Sequence, residues 1–178
     1  MMKKPTIYSS RVLLQGDFYK MHEDILGRSD GNRSPYVTLQ LRHDAAVILA
    51  QDEEGRYILN REYRHPIQEH ILGCPGGRLE PGEDPIGGGL RELAEETGYT
   101  TEEIVMMGSC YPFPGVCNQK IYFLWAQNCR KTHAQKLDPL EYIVTELKGE
   151  KELKQEIREQ SRIDGLLCTA LWYKEQLR

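Results

Sequence analysis

Residues 77–99 read GRLEPGEDPIGGGLRELAEETGY, and this stretch restricts the fold more than any other. Its second half has the marks of one helix with both ends set. Asp84 is a good N-cap, Pro85 suits the first helical position, and Gly98 is a good left-handed residue just past the last turn. On a helical wheel Ile86, Leu90, Leu93 and Thr97 share one face, with Glu92, Glu95 and Glu96 on the opposite one at i, i+3 and i+4. Like charges at that spacing repel, and the C-terminal half of a helix disfavours anions. One reading is a solvated acidic face, part-neutralised by Arg91 four residues before Glu95. The other is a cation, because clustered carboxylate oxygens are hard ligands that suit Mg2+ or Mn2+. The glycines at 87, 88 and 89 each cost roughly 0.5–1 kcal/mol against alanine in a helix, which points to close backbone packing.

Strands are expected on both sides of that helix. Residues 8–14 and 18–26 read as a hairpin around a turn at 15–17, and 36–42 alternates again after a loop at 27–35. Residues 45–50 are continuously apolar, as a strand covered on both faces would be. Residues 57–63, 104–111, 121–127 and 142–147 complete the strands, with 112–120 (PFPGVCNQK) a loop. A polar helix is expected over 149–160 and an amphipathic one over 164–177. Strands around one central helix, with helices closing the chain, predict an α/β or α+β sandwich.

At 178 residues the chain is one domain, or one domain with a small appendage. The net charge of −4 and the lack of a basic stripe argue against a nucleic-acid partner. No apolar run reaches membrane-spanning length, and the start, MMKKPTIYSS, lacks a signal-peptide core; the expectation is a cytoplasmic protein with no membrane partner. The five cysteines, at 74, 110, 117, 129 and 168, have no zinc spacing and are expected to be reduced thiols.

The stretch at 77–99 fits G-x5-E-x7-R-E-U-x-E-E-x-G-U, where U is bulky and apolar. It resembles the signature box of the Nudix hydrolases at every defining position. The resemblance implies an α/β/α sandwich with a mixed sheet, preceded by an N-terminal antiparallel β segment. It implies that Glu92, Glu95 and Glu96, with the Gly76 carbonyl, hold a divalent metal, and that Arg91 pairs with Glu83 to brace the loop on the helix. The reaction it implies is water attack on a diphosphate, for which cations bridging the oxygens are the natural help.

The likeness covers nearly the whole chain and narrows to the ADP-ribose pyrophosphatases and related nucleotide-sugar hydrolases. Pro114 stands sixteen residues beyond Gly98, where that group often carries a proline. Residues 1–42 resemble its extra antiparallel segment, with 43–178 the Nudix domain proper, and Ile163-Asp164-Gly165 resembles its closing helix. By resemblance Arg64 and Arg42 reach the substrate, and Phe18 lies near the purine. Arginine suits that task because its fork pairs with phosphate oxygens. The group usually swaps its N-terminal segment between subunits, so a homodimer is expected; a small sheet with little helix cover is also poorly buried alone.

Two positions depart from the group. Gln119 stands where the loop after the marker proline usually has a glutamate base, and an amide cannot take a proton in the relevant pH range. Three readings stay open: an introduced replacement of a glutamate, another base (Glu141 or Glu69), or a protein that binds nucleotide without turnover. Gly73 stands where the group often has another glutamate. The resemblance thus implies a Mg2+-dependent hydrolase of ADP-ribose or a related nucleoside diphosphate sugar, GDP-mannose being an alternative. An ADP-ribose sensor is the rival of another class, against which stand the intact box and the absence of an unassigned helix-turn-helix segment.

Overall fold

The computed structural model describes residues 4–159 and 162–177, so the last position of the helix expected over 149–160 and the first three residues lie outside the described residues. The chain divides into two compact units, residues 1–44 with 111–120, and residues 45–110 with 121–178. The segment expected as a mere loop at 112–120 thus groups with the N-terminal strands.

The first unit is a three-stranded antiparallel sheet of β1 (Ile7–Gln15), β2 (Tyr19–Gly27) and β3 (Arg33–Leu41), in that order. The expected loop at 27–35 is shorter than composition suggested. Gly27 pairs with Arg33, and the turn is closed by Arg28 N–H donating to the Asn32 carbonyl and by Asp30 accepting from Asn32 N–H. Pro35 sits inside β3 without breaking it. The outer edge of β3 is occupied by the segment 116–118. Leu39 N–H donates to the Val116 carbonyl at 2.8 Å, and the Asn118 amide accepts from Leu41 N–H at 2.7 Å and donates to the Leu41 carbonyl at 3.1 Å. An asparagine side chain here completes a strand edge that would otherwise be open.

The second unit is built on an eight-stranded mixed sheet. Its main path runs β11 (Ile143–Lys148), β5 (Tyr57–Arg64), β4 (Ala45–Asp52), β10 (Ile121–Lys131), β8 (Tyr99–Thr100); β6 (Glu69–Gly73) pairs with β5, β7 (Gly76–Arg78) with β4 and β9 (Glu103–Cys110) with β10. The β4–β10 pair is parallel and the other pairings are antiparallel. Strand β4 is buried on both faces, as its unbroken apolar run requires. Ala46, Ile48 and Ala50 pack with Leu93 of α1 (Pro85–Thr97) and with Leu124 and Ala126; Val47 and Leu49 pack on the other side with Phe123, with Leu153 of α2 (Glu150–Glu159) and with Leu167 and Ala170 of α3 (Gly165–Gln176). The unit is therefore an α+β sandwich with helices on both faces of one mixed sheet. Strands β6, β7 and β8 were not expected. They are two to five residues long, and ILGCPGG at 71–77 has no alternation to give them away. Among the described residues no helix is long and apolar enough to cross a membrane.

Candidate active site

Helix α1 starts and stops where its sequence dictates. The Asp84 carboxylate accepts from Ile86 N–H at 3.0 Å and Gly87 N–H at 3.2 Å, and Gly98 closes the end in the left-handed region at φ 77°. Two of the three glycines are explained by what lies against them. A Cβ on Gly88 would strike the Leu79 and Glu83 side chains, and one on Gly89 would strike Leu124 and Ile48. The helix therefore lies close enough to the sheet that an alanine does not fit.

Arg91 is the hub of the acidic face. Its Nε and one terminal nitrogen donate to the two oxygens of Glu83, both at 3.0 Å; its other terminal nitrogen donates to Glu92 at 2.9 Å and Glu95 at 3.1 Å. It also donates to the Arg78 carbonyl at 3.1 Å, which ties the loop before the helix to the helix itself. The bidentate pair holds the Glu83 carboxyl below the usual carboxylate range. The Glu92 carboxylate lies against Gly77, where a Cβ would come within 2.6 Å of its carboxyl carbon; the box glycine makes room for that carboxylate.

Glu96 departs from the wheel. It is not on an open acidic face but 4% exposed, beside the fully buried Leu93 and Thr97. Its carboxylate accepts from Gly76 N–H at 2.8 Å and from the Asn60 amide at 2.9 Å. Burial pushes its pKa up to about 9, opposed by the Gly76 hydrogen bond and reinforced by Glu92, Glu62 and Glu141. Burial likewise raises Glu92, although Arg91 works against it, and raises Glu62. A cluster of carboxylates that raise one another's pKa values, with one arginine among them, favours any added positive charge.

Strand β5 contributes residues that periodicity alone left unread. Asn60, Glu62 and Arg64 alternate along NREYR. Asn60 is buried on Glu96, Glu62 acts electrostatically on Glu96, and Arg64 donates to Glu62 at 2.5 Å. The signal for them was the run of polar residues Asn60, Arg61, Glu62 and Arg64 closing a strand that begins apolar. Glu141 accepts from Asp138 N–H at 2.8 Å and acts on Glu62, Glu92 and Glu96. Glu69 pairs instead with Arg162 at 2.9 Å. Gly73 packs against Asp164, the N-cap of α3; a Cβ would lie 3.3 Å from that of Asp164.

The donor set suits a hard divalent cation: three carboxylates on one helix, one of them buried and, among the described residues, without a cationic partner, plus backbone at Gly76. In this conformation they are not gathered as a shell, for among the described residues no group of three His, Cys, Asp or Glu is poised around one point. Arg91 instead engages Glu92 and Glu95 through one terminal nitrogen.

The remaining expected residues belong to the first unit. Phe18 is half exposed, and its carbonyl accepts from Arg42 N–H at 3.1 Å. Pro114 and Gln119 lie in the segment that edges β3, with the Gln119 amide donating to the His43 carbonyl at 3.2 Å. That bond spends one of the two N–H donors of Gln119 on backbone.

A model of the NUDIX domain matches residues 41–158. The chain belongs to the Nudix family. Among its relatives, a "Methanol dehydrogenase activator" of Bacillus methanolicus is 32% identical over 97% of this chain and 90% of its own length. An "ADP-ribose pyrophosphatase" of Bacillus subtilis (strain 168) is 36% identical over 49% of this chain, a match that spans 48% of that protein. The "ADP compounds hydrolase NudE" of Escherichia coli (strain K12) is 25% identical over 71% of this chain and 68% of its own. A solved structure titled as an ADP compounds hydrolase superposes with a TM-score of 0.87 over 99% of this chain and 95% of its own; at 21% identity it shows the fold. The Nudix box identified in the sequence thus lies on α1 and the loop before it, within the residues that the NUDIX model matches.

Proposed function

We propose that this Nudix hydrolase cleaves the diphosphate bond of ADP-ribose or a related nucleoside diphosphate sugar, using Mg2+, with Mn2+ as a substitute, held by Glu92, Glu95, Glu96 and the Gly76 carbonyl. The observation that carries this reading is the pairing of Arg91 with Glu83 beside a buried, raised-pKa Glu96, in a chain whose relatives include a named ADP-ribose pyrophosphatase. Water adds to one phosphorus and the bridging P–O bond breaks; a nucleoside monophosphate and a sugar phosphate leave. A divalent ion bound there supplies charge neutralisation for the diphosphate.

The chain's own residues do the rest. Arg91 and Glu83 keep loop and helix in register. Arg64 and Arg42 offer forks to phosphate oxygens, and Phe18 and Pro114 border the nucleotide. Glu141, close enough to Glu92 and Glu96 to shift them, is the candidate base in place of Gln119; Glu69, tied to Arg162, is the weaker one. The protein works as a cytoplasmic homodimer in this reading. GDP-mannose is the first alternative substrate, and binding of ADP-ribose with weak turnover is the outcome if no base replaces Gln119.

ADP-ribose turnover with and without Mg2+ tests the reading: AMP and ribose 5-phosphate should form only with the metal. No product with either Mg2+ or Mn2+, and none from a panel of nucleotide sugars, would overturn it. A second reading has its own support, because the relative that aligns along 97% of this chain is named for activating a methanol dehydrogenase. In that reading the hydrolase acts on behalf of a dehydrogenase partner. The rate of a methanol dehydrogenase assayed with and without this chain decides it.

A further inference from the structure

We propose that Lys20 and Arg42, with the side-chain amides of Gln40 and Asn118, form an anion pocket that takes a phosphate group. The pocket lies wholly within the N-terminal unit and is a cavity of about 410 Å3 lined by Lys20, Gln40, Leu41, Arg42 and Asn118. Among the described residues two cations and two amides line it, and no carboxylate does. Among the described residues neither Lys20 nor Arg42 is held in an ion pair, whereas Arg11, Arg28, Arg56, Arg61, Arg64 and Arg91 each are.

Strand register explains how the cations meet. Lys20 of β2 stands directly opposite Gln40 of β3, so their side chains share a face. Arg42 follows Gln40 by two residues and continues the ladder through its N–H to the Phe18 carbonyl, so it faces the same way. On that face His22 Nε2 lies 3.0 Å from Gln40 Oε1. With the carbonyl end of Gln40 engaged by the imidazole, its NH2 is left as a donor. Asn118 is fixed at the edge of β3 by both of its bonds to Leu41. Two like charges brought to one small site without a counter-ion repel, and a chain gains nothing structural from that. A phosphate removes the repulsion and accepts from all the donors present.

This inference touches the proposed hydrolase reading only through Arg42, and the test separates the two. Inorganic phosphate is titrated by calorimetry into the metal-free, full-length protein, with no turnover involved. Saturable binding is expected, weakened about tenfold or more in Lys20→Ala and in Arg42→Ala, in proportion to the loss of one charge-assisted contact. Lys151→Ala, on exposed α2 in the other unit, should bind as the wild type does. Circular dichroism confirms that each variant is folded. Absence of saturable binding in the wild type, or equal weakening in Lys151→Ala, would overturn the pocket. AMP titrated in saturating phosphate then identifies the source of the phosphate. Competition assigns the pocket to a phosphate carried by the nucleotide, and simultaneous binding assigns it to free phosphate; both support the pocket. Loss of ADP-ribose turnover with phosphate binding retained would remove the hydrolase reading alone.

Discussion

At the residue scale, Glu96 is where burial and charge conflict most. Its side chain is enclosed, its pKa is raised to about 9, and its hydrogen bonds come from a backbone N–H and a neutral amide, not from a cation. A raised carboxyl pKa has a definite sign in linkage. Its contribution to stability is complete below the unfolded value, here 4.5, and is lost as pH rises through about 9. The metal-free protein should therefore lose stability across that window, and Glu96→Gln should flatten the loss. The same substitution should erase the rise in melting temperature caused by Mg2+ and lower kcat by on the order of 10²-fold or more. Thermal melts at several pH values, with and without Mg2+, check this; an undiminished Mg2+ shift in Glu96→Gln would remove Glu96 from the metal set. Gln119→Glu should raise kcat by roughly 10²–10⁴, with little change in the affinity for ADP-ribose, where no other base acts; an unchanged kcat would clear that position of any role as base and leave the role to Glu141.

At the scale of elements, α1 sits where it does because Gly88 and Gly89 have no Cβ. Gly89→Ala should cost roughly 1–3 kcal/mol through its clash with Leu124 and Ile48, measured by denaturant unfolding. Gly77→Ala should cost less in stability but more in turnover, since its methyl meets the Glu92 carboxylate and not the core. On the opposite side of the sheet, α2 is fastened to β5 and β11 by charge. Arg61 pairs with Glu146 at 2.5 Å and with Glu156 at 2.7 Å, and Lys148 pairs with both at 3.0 and 2.9 Å. Arg61 holds the Glu146 carboxyl below its usual range, and Lys148 chiefly does so for Glu156 against the effect of burial. Depressed carboxyl values mean stability that is present above pH 4.5 and lost as pH falls through the folded values. Glu146→Gln combined with Glu156→Gln should make the acid limb of unfolding shallower; an identical limb would show that these pairs contribute nothing measurable.

For the whole molecule, the N-terminal sheet leaves much apolar surface open. Every residue of β1 is exposed, and Ile7, Val12, Leu14, Phe18 and Val37 are each about half exposed or more, at 61, 50, 52, 51 and 48%. A three-stranded sheet with apolar residues in the open is marginal alone, and patches of this kind are covered by partners. A homodimer is expected at micromolar concentration by light scattering, and Leu14→Glu should shift it toward monomer. A wild-type protein that sediments only as monomer would count against the dimer.

Much of this could be read without coordinates wherever the controlling interaction is local or periodic. The caps of α1 rest on Asp84, Pro85 and Gly98, all within one helix of each other, and the double burial of β4 rests on six consecutive apolar residues. The spacing of Glu83, Arg91, Glu92, Glu95 and Glu96 identified the family for the same reason, since each partner lies within a few turns of the next. The short strands β6, β7 and β8 could not be read, because two to five residues carry too little pattern to outweigh their glycines and proline. Nor could the environment of Glu96. A helical wheel places it by angle beside Glu92, but its burial depends on Asn60, 36 residues earlier, and on Gly76, 20 residues earlier. Lys20 and Arg42 came together in the same way, through the register of β2 on β3. Residue spacing along the chain sets which chemistry is available on α1. Strand pairing decides which of those charges lose their water, and desolvation is what raises the pKa of Glu96 on an otherwise acidic helix.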